Sequence, residues 1–192
     1  IENHAGFPLT TDNELELLKD GKNTFNRIFE ALQAAEKSIH VQYYIFEEGE
    51  LADRLLDLFV KKEASGVEGR LIYDSIGSLS LSRGYLKRLR DAGIEVHNFL
   101  PYRFGKFLTS LNYRNHRKII VVDGEIAFTG GINISDKYLK GDRYLGMWHD
   151  MHLMVKGQAS GTSRRYPWSP CRHSIEHHCP PIHASPAKTS FG

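Results

Sequence analysis

Apolar side chains recur at helical spacing early in the chain. Phe25, Ile28, Phe29 and Leu32 fall three or four residues apart, which predicts a helix over residues 21–36. The next stretch, 38–46, is rich in β-branched and aromatic residues with partial alternation, and reads as a buried strand. Leu51, Leu55, Leu58 and Phe59 then mark one face of a helix over 50–64. Residues 69–73 predict a second strand, 74–82 a loop, 85–92 a helix stopped by Gly93, and 94–99 a third strand. Residues 13–20 are polar with interspersed leucines and predict no element. Helix and strand alternate through this part, which implies an α/β fold whose sheet is mixed but largely parallel, covered by helices. Further on, an apolar run over 117–122, the Asp123-Gly124 turn and a run over 126–128 give a hairpin signal. A short helix over 134–139 and a strand over 151–155 complete the pattern.

The character changes near Ala159. Ser, Pro, His and Arg dominate residues 159–192, with no period of 2 or 3.6. The expectation is one domain over 1–158 and a disordered, low-complexity tail over 159–192 that looks foreign to it. Charge separates the same two parts. The tail carries Arg164, Arg165, Arg172 and Lys188 against Glu176 alone, so the overall +2 leaves the first 158 residues at −1. Such a body is not a generally basic, nucleic-acid-coating surface. One basic stretch interrupts it: Arg103, Lys106, Arg114, Arg117 and Lys118 lie between Pro101 and Val122 with no acidic residue. A solvated loop is the ordinary reading of such a run.

Both cysteines, Cys171 and Cys179, fall in the tail, so no disulfide framework is expected in the core. With His173, His177 and His178 they form a cluster whose composition alone suggests zinc. The short spacing, the prolines and the absence of a surrounding core argue against it, and no metal or cofactor is expected. No run approaches 18 apolar residues, so no transmembrane helix is expected in this piece. The first residue is Ile1 rather than Met, as in a processed product or a fragment.

Candidate chemistry sits in Asn115-His116-Arg117-Lys118 at the start of a predicted strand. A period of 2 puts His116 and Lys118 on one face and Arg117 on the other. A neutral imidazole can attack phosphorus, and a neighbouring ammonium can stabilise charge on the non-bridging oxygens. Asp123 follows at the far end of the strand, where it either orients neighbouring groups or caps the Asp-Gly turn. Alone, His-x-Lys is a common accident. His40 and His97 fall on predicted strands and read as core or sheet-face residues, and His149 and His152 flank the last strand. Tyr43 and Tyr44 must point to opposite sides of the first predicted strand. The Asp74–Ser78 segment after the second strand is either a border of a site or a plain connection.

The longer context is more specific. His116-x-Lys118-x4-Asp123, followed by Gly130-Gly131-x-Asn133, resembles the HxKxxxxD motif of the phospholipase D superfamily. Leu111 to Ile119 resembles bacterial cardiolipin synthases in particular. So do Gln42 to Phe46, Tyr73 to Ser78 and Gly131 to Tyr138, in the same order along the chain. The resemblance runs from about Pro8 to Gly157 and implies a phospholipase D-like α-β-α sandwich, here as its first half-domain. It implies that His116 is a nucleophile, that Lys118 and Asn133 bind phosphate oxygens, and that Asp123 is the motif's supporting carboxylate. It further implies transfer of a phosphatidyl group between two phosphatidylglycerol molecules through a phosphohistidine, with release of glycerol and no metal.

In that family two such motifs meet in one site, and this chain has one. No later histidine is followed by a lysine two residues on. The expected partners are therefore phosphatidylglycerol, membrane lipid, and either a missing second half or a second copy of the chain. No nucleic acid partner is expected, and the complete protein is expected at the bacterial inner membrane. Two rival readings are a single-motif nuclease completed by homodimerisation and an inactive lipid-binding fragment.

Overall fold

The computed structural model describes residues 10–99 and 115–160. A seven-stranded sheet forms its centre. In chain order the elements are β1 (Glu14–Leu18), α1 (Gly21–Ala34), β2 (Ser38–Tyr43), α2 (Glu50–Glu63), β3 (Glu68–Asp74), α3 (Arg83–Asp91), β4 (Glu95–Phe99), β5 (Ile119–Val122), β6 (Ile126–Gly130), α4 (Lys137–Lys140) and β7 (His152–Lys156). The strand order is β1-β7-β6-β5-β2-β3-β4.

The predicted alternation of helix and strand is present, and so is the mixed sheet, but the expected largely parallel character is not. Only β2 with β3 and β3 with β4 run parallel. The β1–β7, β7–β6, β6–β5 and β5–β2 pairs are antiparallel. The reason lies in the connections. The crossovers through α2 and α3 return the chain to the same end of the sheet, as a parallel pair requires. The β5–β6 connection is a tight turn in which Asp123 and Gly124 both have positive φ, 55° and 75°. Such a turn reverses the chain and forces antiparallel pairing.

Local signals explain the helices. The Asp20 carboxylate accepts the Asn23 N–H at 2.7 Å and starts α1. Ser82 accepts the Tyr85 N–H at 3.1 Å and starts α3. The start of α2 is capped from across the chain. The Asp136 carboxylate accepts the Glu50 and Leu51 N–H groups, each at 3.0 Å.

The buried stripe of α1 includes Phe25, Ile28 and Leu32, and that of α2 includes Leu51, Leu55 and Phe59. With Tyr85 and Leu89 of α3 they join Val41, Leu71, Ile120, Phe128 and Met154 in one core. Those five strand residues face the same side of the sheet by register. The core therefore lies between that face and α1 to α3. On the opposite face Val121, Ala127 and Gln42 are buried as well.

β1 is the element the sequence pattern did not predict. It pairs along β7, with Leu15 opposite Val155 and Leu17 opposite Leu153. Glu16 lies on the helix-bearing face, and Arg27 of α1 reaches it at 2.8 Å. Leu15 and Leu17 are 63% and 54% exposed. Of the apolar positions of this strand Leu15 and Leu17 point away from the core and Leu18 alone reaches it, so the pattern carries little inward signal. Ser160 is buried and its hydroxyl donates to the Val155 carbonyl at 2.8 Å. Residues 161–192, with Cys171 and Cys179, lie outside the described residues, as do Arg103, Lys106 and Arg114.

Candidate active site

The site lies where β2 ends, β5 begins and β6 ends, all at one end of these adjacent central strands. β2 stops at Tyr43, whose side chain is buried in the core, and Tyr44 turns the other way. The two tyrosines thus take opposite sides, as alternation requires. The imidazole of His116 stacks on the Tyr44 ring, with centroids 3.8 Å apart and planes 20° from parallel. The Lys118 ammonium sits over the same ring, 5.6 Å from its centroid, and donates to the His116 carbonyl at 2.8 Å. His116 and Lys118 therefore share a face, with one aromatic platform beneath them. His116 is exposed, while Lys118 is half-buried. Desolvation lowers the Lys118 pKa, and the nearby Asp150 carboxylate opposes that shift.

Tyr44 is held from behind by the loop after β3. The Ser78 hydroxyl donates to the Tyr44 carbonyl at 3.1 Å and accepts the Phe46 N–H at 3.0 Å. Asp74 shapes the loop by accepting the N–H groups of Ile76 and Gly77. Gly77 lies against Tyr44 so closely that a Cβ there would fall 2.2 Å from the Tyr44 carbonyl oxygen. The Asp74–Ser78 segment thus supports Tyr44, one step removed from His116 and Lys118.

Asn133 arrives on the segment after β6. Its amide oxygen accepts the Ile45 N–H at 3.3 Å, which anchors it next to Tyr44. Its amide nitrogen approaches the Tyr138 hydroxyl at 3.5 Å. Tyr138 in turn meets Trp148 edge to face, with centroids 5.6 Å apart. His116, Lys118 and Asn133 are therefore gathered around the end of β2.

Asp123 is not gathered with them. It stands five residues beyond Lys118, about 16 Å along an extended chain. Its carboxylate accepts the N–H groups of Glu36, Lys37 and Ser38 at 2.9, 2.7 and 2.8 Å. Burial by itself would raise its pKa, but the three backbone donors outweigh burial and hold the carboxyl below its ordinary value. Asp123 clamps the α1–β2 corner to the β5–β6 turn.

Two neighbours escaped the sequence reading. Asp150 is the carboxylate whose charge acts on both Lys118 and His152. It belongs to no motif, and only the fold brings it across from the start of β7. Gly131 makes room for it, since a Cβ at Gly131 would fall 2.0 Å from an Asp150 carboxylate oxygen. His152 is fully buried, and its Nδ1 accepts the Ile132 N–H at 3.3 Å. Burial pushes its pKa down to about 4, Asp150 opposes that, and Lys118 adds to it. This ring is neutral and holds the Gly130–Asn133 turn in place. Of the other histidines, His40 is buried on β2, and His97 meets Glu95 at 2.7 Å on the surface.

Comparison with known proteins places the chain in a family. A family described as cardiolipin synthase, PLD-like domain, matches residues 28–157. The chain is 44% identical over 155 residues to a cardiolipin synthase of Alkalihalophilus pseudofirmus, an alignment covering 81% of this chain and 31% of the relative. It is 39% identical over 154 residues to a probable cardiolipin synthase, YwiE, of Bacillus subtilis, covering 80% and 31%. The chain thus spans about a third of the length of these relatives. Among solved structures, NucT from Helicobacter pylori superposes with a TM-score of 0.61 at 13% identity, over 80% of this chain and 92% of that one. At that identity the likeness speaks for the fold alone.

Proposed function

Since the chain belongs to the cardiolipin synthase, PLD-like domain family, we propose that it is the first catalytic half of a phosphatidyltransferase that makes cardiolipin from phosphatidylglycerol. The observation that carries this reading is the pairing of His116 and Lys118 over Tyr44, with Asn133 anchored beside them. His116 attacks the phosphorus of one phosphatidylglycerol. A P–N bond forms as the bond from phosphorus to the glycerol oxygen breaks, and that oxygen takes a proton as glycerol leaves. The hydroxyl of a second phosphatidylglycerol then attacks phosphorus. It loses its proton, the P–N bond breaks, and His116 is regenerated.

Lys118 and the Asn133 amide face the non-bridging oxygens, where negative charge concentrates. Lys118 is half-desolvated, so its ammonium acts with less competition from water than a surface lysine. Tyr44 fixes the plane of the His116 ring, which limits the ring's rotation about its bonds and aims the attacking nitrogen. Asp150 supplies a carboxylate whose charge acts on Lys118, and Asp123 contributes only by clamping the distant corner of β5. The proton donated to the leaving glycerol comes from a second motif, supplied by a second half or a second copy. The complete protein acts at the membrane that holds its lipid substrate. Among the described residues no helix is long and apolar enough to cross a membrane.

The test is to incubate the complete gene product with phosphatidylglycerol and follow lipids and glycerol. Cardiolipin and glycerol are expected in equal amounts. Substituting His116→Ala removes turnover and leaves lipid binding largely intact. Cleavage of single-stranded DNA without cardiolipin formation overturns the reading.

A further inference from the structure

The connection from α4 to β7 contains a small closed turn. Asp142 and Gly146 exchange both backbone hydrogen bonds, at 2.7 and 3.0 Å. The Asp142 carboxylate also accepts the Tyr144 and Leu145 N–H groups, at 2.8 and 3.1 Å. These four bonds tie the turn together and hold Arg143, Tyr144 and Leu145 at its tip. Tyr144 is 86% exposed and Leu145 74%, and Met147 just beyond is exposed too. A soluble surface gains nothing from holding a tyrosine and a leucine side by side in water on a turn this well ordered.

The charges around the turn are divided. At its base, Lys137 pairs with Glu47 at 3.0 Å and Lys140 with Glu50 at 2.7 Å. At the tip, Asp142 is occupied by backbone N–H groups. Among the described residues Arg143 has no carboxylate partner, and its guanidinium lies 5.7 Å from the Tyr144 ring centroid. Among the described residues the outward-facing set is thus one cation without a carboxylate partner, one tyrosine and one leucine, with Met147 beside them. Tyrosine and arginine favour the headgroup level of a bilayer, and leucine favours the acyl boundary beneath it. The cation selects an anionic surface. Both flanks of the turn lead into the site, through Tyr138 on one side and Trp148 on the other.

The geometry points to the 142–146 turn as a membrane-dipping element, which seats Tyr144 and Leu145 in an anionic phospholipid surface and presents the site edge to it. The identity of that surface rests on the lipid reading above. The insertion itself does not require turnover.

Co-sedimentation of the 192-residue chain with vesicles tests it. Vesicles of phosphatidylglycerol and phosphatidylcholine bind the chain, and vesicles of phosphatidylcholine alone bind it less. The double substitution Tyr144→Ser, Leu145→Ser weakens partitioning by about tenfold or more, given the apolar area withdrawn. Arg143→Gln weakens the anionic preference by about fivefold. Leu15→Ser, an exposed leucine on β1, leaves binding unchanged. Leu145→Trp adds an emission component that shifts to the blue on vesicle binding and is quenched by brominated lipid. Circular dichroism confirms that each variant is folded.

Equal vesicle binding by the double variant overturns the proposal, as does absence of binding by the unaltered chain. Sedimentation showing that the turn mediates self-association, with no change in vesicle binding, assigns it to a protein contact and overturns it as well. Vesicle binding through the turn, with no cardiolipin made by the complete protein, rejects the enzymatic reading alone. Cardiolipin synthesis with undiminished vesicle binding by the double variant rejects the turn alone.

Discussion

His152 shows how a single side chain couples the site to stability. Its folded pKa of about 4 lies below the ordinary 6.5, because burial disfavours the imidazolium and Lys118 repels it. The unfolded chain therefore takes up a proton at this residue first as pH falls. The contribution of the neutral, buried ring is complete above pH 6.5. It is lost progressively as pH drops toward 4 and reaches roughly 3 kcal/mol there. Denaturant unfolding of the chain at pH 7 and pH 4.5 will show that loss, and His152→Gln will flatten the difference between the two. An equal pH dependence in the variant would mean that other groups set it. Asp123 acts in a separate window. Its carboxyl sits below its ordinary value, so what it contributes through Glu36, Lys37 and Ser38 is lost only at lower pH, as the carboxylate is protonated.

At the scale of elements, the site depends on contacts between segments far apart in sequence. The loop after β3 supports the residue that ends β2, and Gly77 is the point of closest approach. Gly77→Ala would drive a methyl group into the Tyr44 backbone, and relieving that overlap shifts the loop, the tyrosine or both. A loss of about 1–3 kcal/mol is expected. The more specific consequence is at His116, whose ring protons lie in the ring current of Tyr44 in the unaltered chain. Proton NMR will show those resonances moving toward ordinary histidine positions in the variant. If they stay in place, the loop does not set the platform. Asp136 works in a comparable way, starting α2 from the segment that follows Asn133. The helix that covers the centre of the sheet and the turn that carries Asn133 are thus tied together.

At the scale of the whole molecule, the sheet divides into two regimes. β2, β3 and β4 form a parallel unit joined through α2 and α3, and β5, β6 and β7 form an antiparallel meander that β1 closes at the edge. The site sits where they meet, between the end of β2 and the start of β5. It offers one histidine of the motif, whereas the proposed reaction needs an acid for the leaving glycerol besides the nucleophile. The 192-residue chain by itself is therefore expected to form no cardiolipin from phosphatidylglycerol at concentrations where sedimentation shows a monomer. Thin-layer chromatography of the lipids checks this, and cardiolipin made by the monomer would show that one motif suffices.

Much of this was legible in the residues themselves. Helical spacing in Phe25 to Leu32 and in Leu51 to Phe59 determined α1 and α2, because a buried stripe every 3.6 residues is a local property. The β5–β6 hairpin followed from Asp123-Gly124, whose backbone tolerates positive φ. A period of 2 put His116 and Lys118 on one face of an expected strand; both precede β5, and tertiary contact sets them against Tyr44. Three things belonged to the tertiary structure alone. The direction of β5 relative to β2 depends on where the chain re-enters the sheet, which no local pattern encodes. β1 escaped because its leucines face outward while Leu18 alone reaches the core. The division of labour among carboxylates escaped for the same reason: Asp123 lay inside the motif and Asp150 outside it, yet Asp150 is the one near Lys118. Spacing along a strand tells which side a residue faces. Which charges end up beside each other is decided by strands that meet only when the sheet closes.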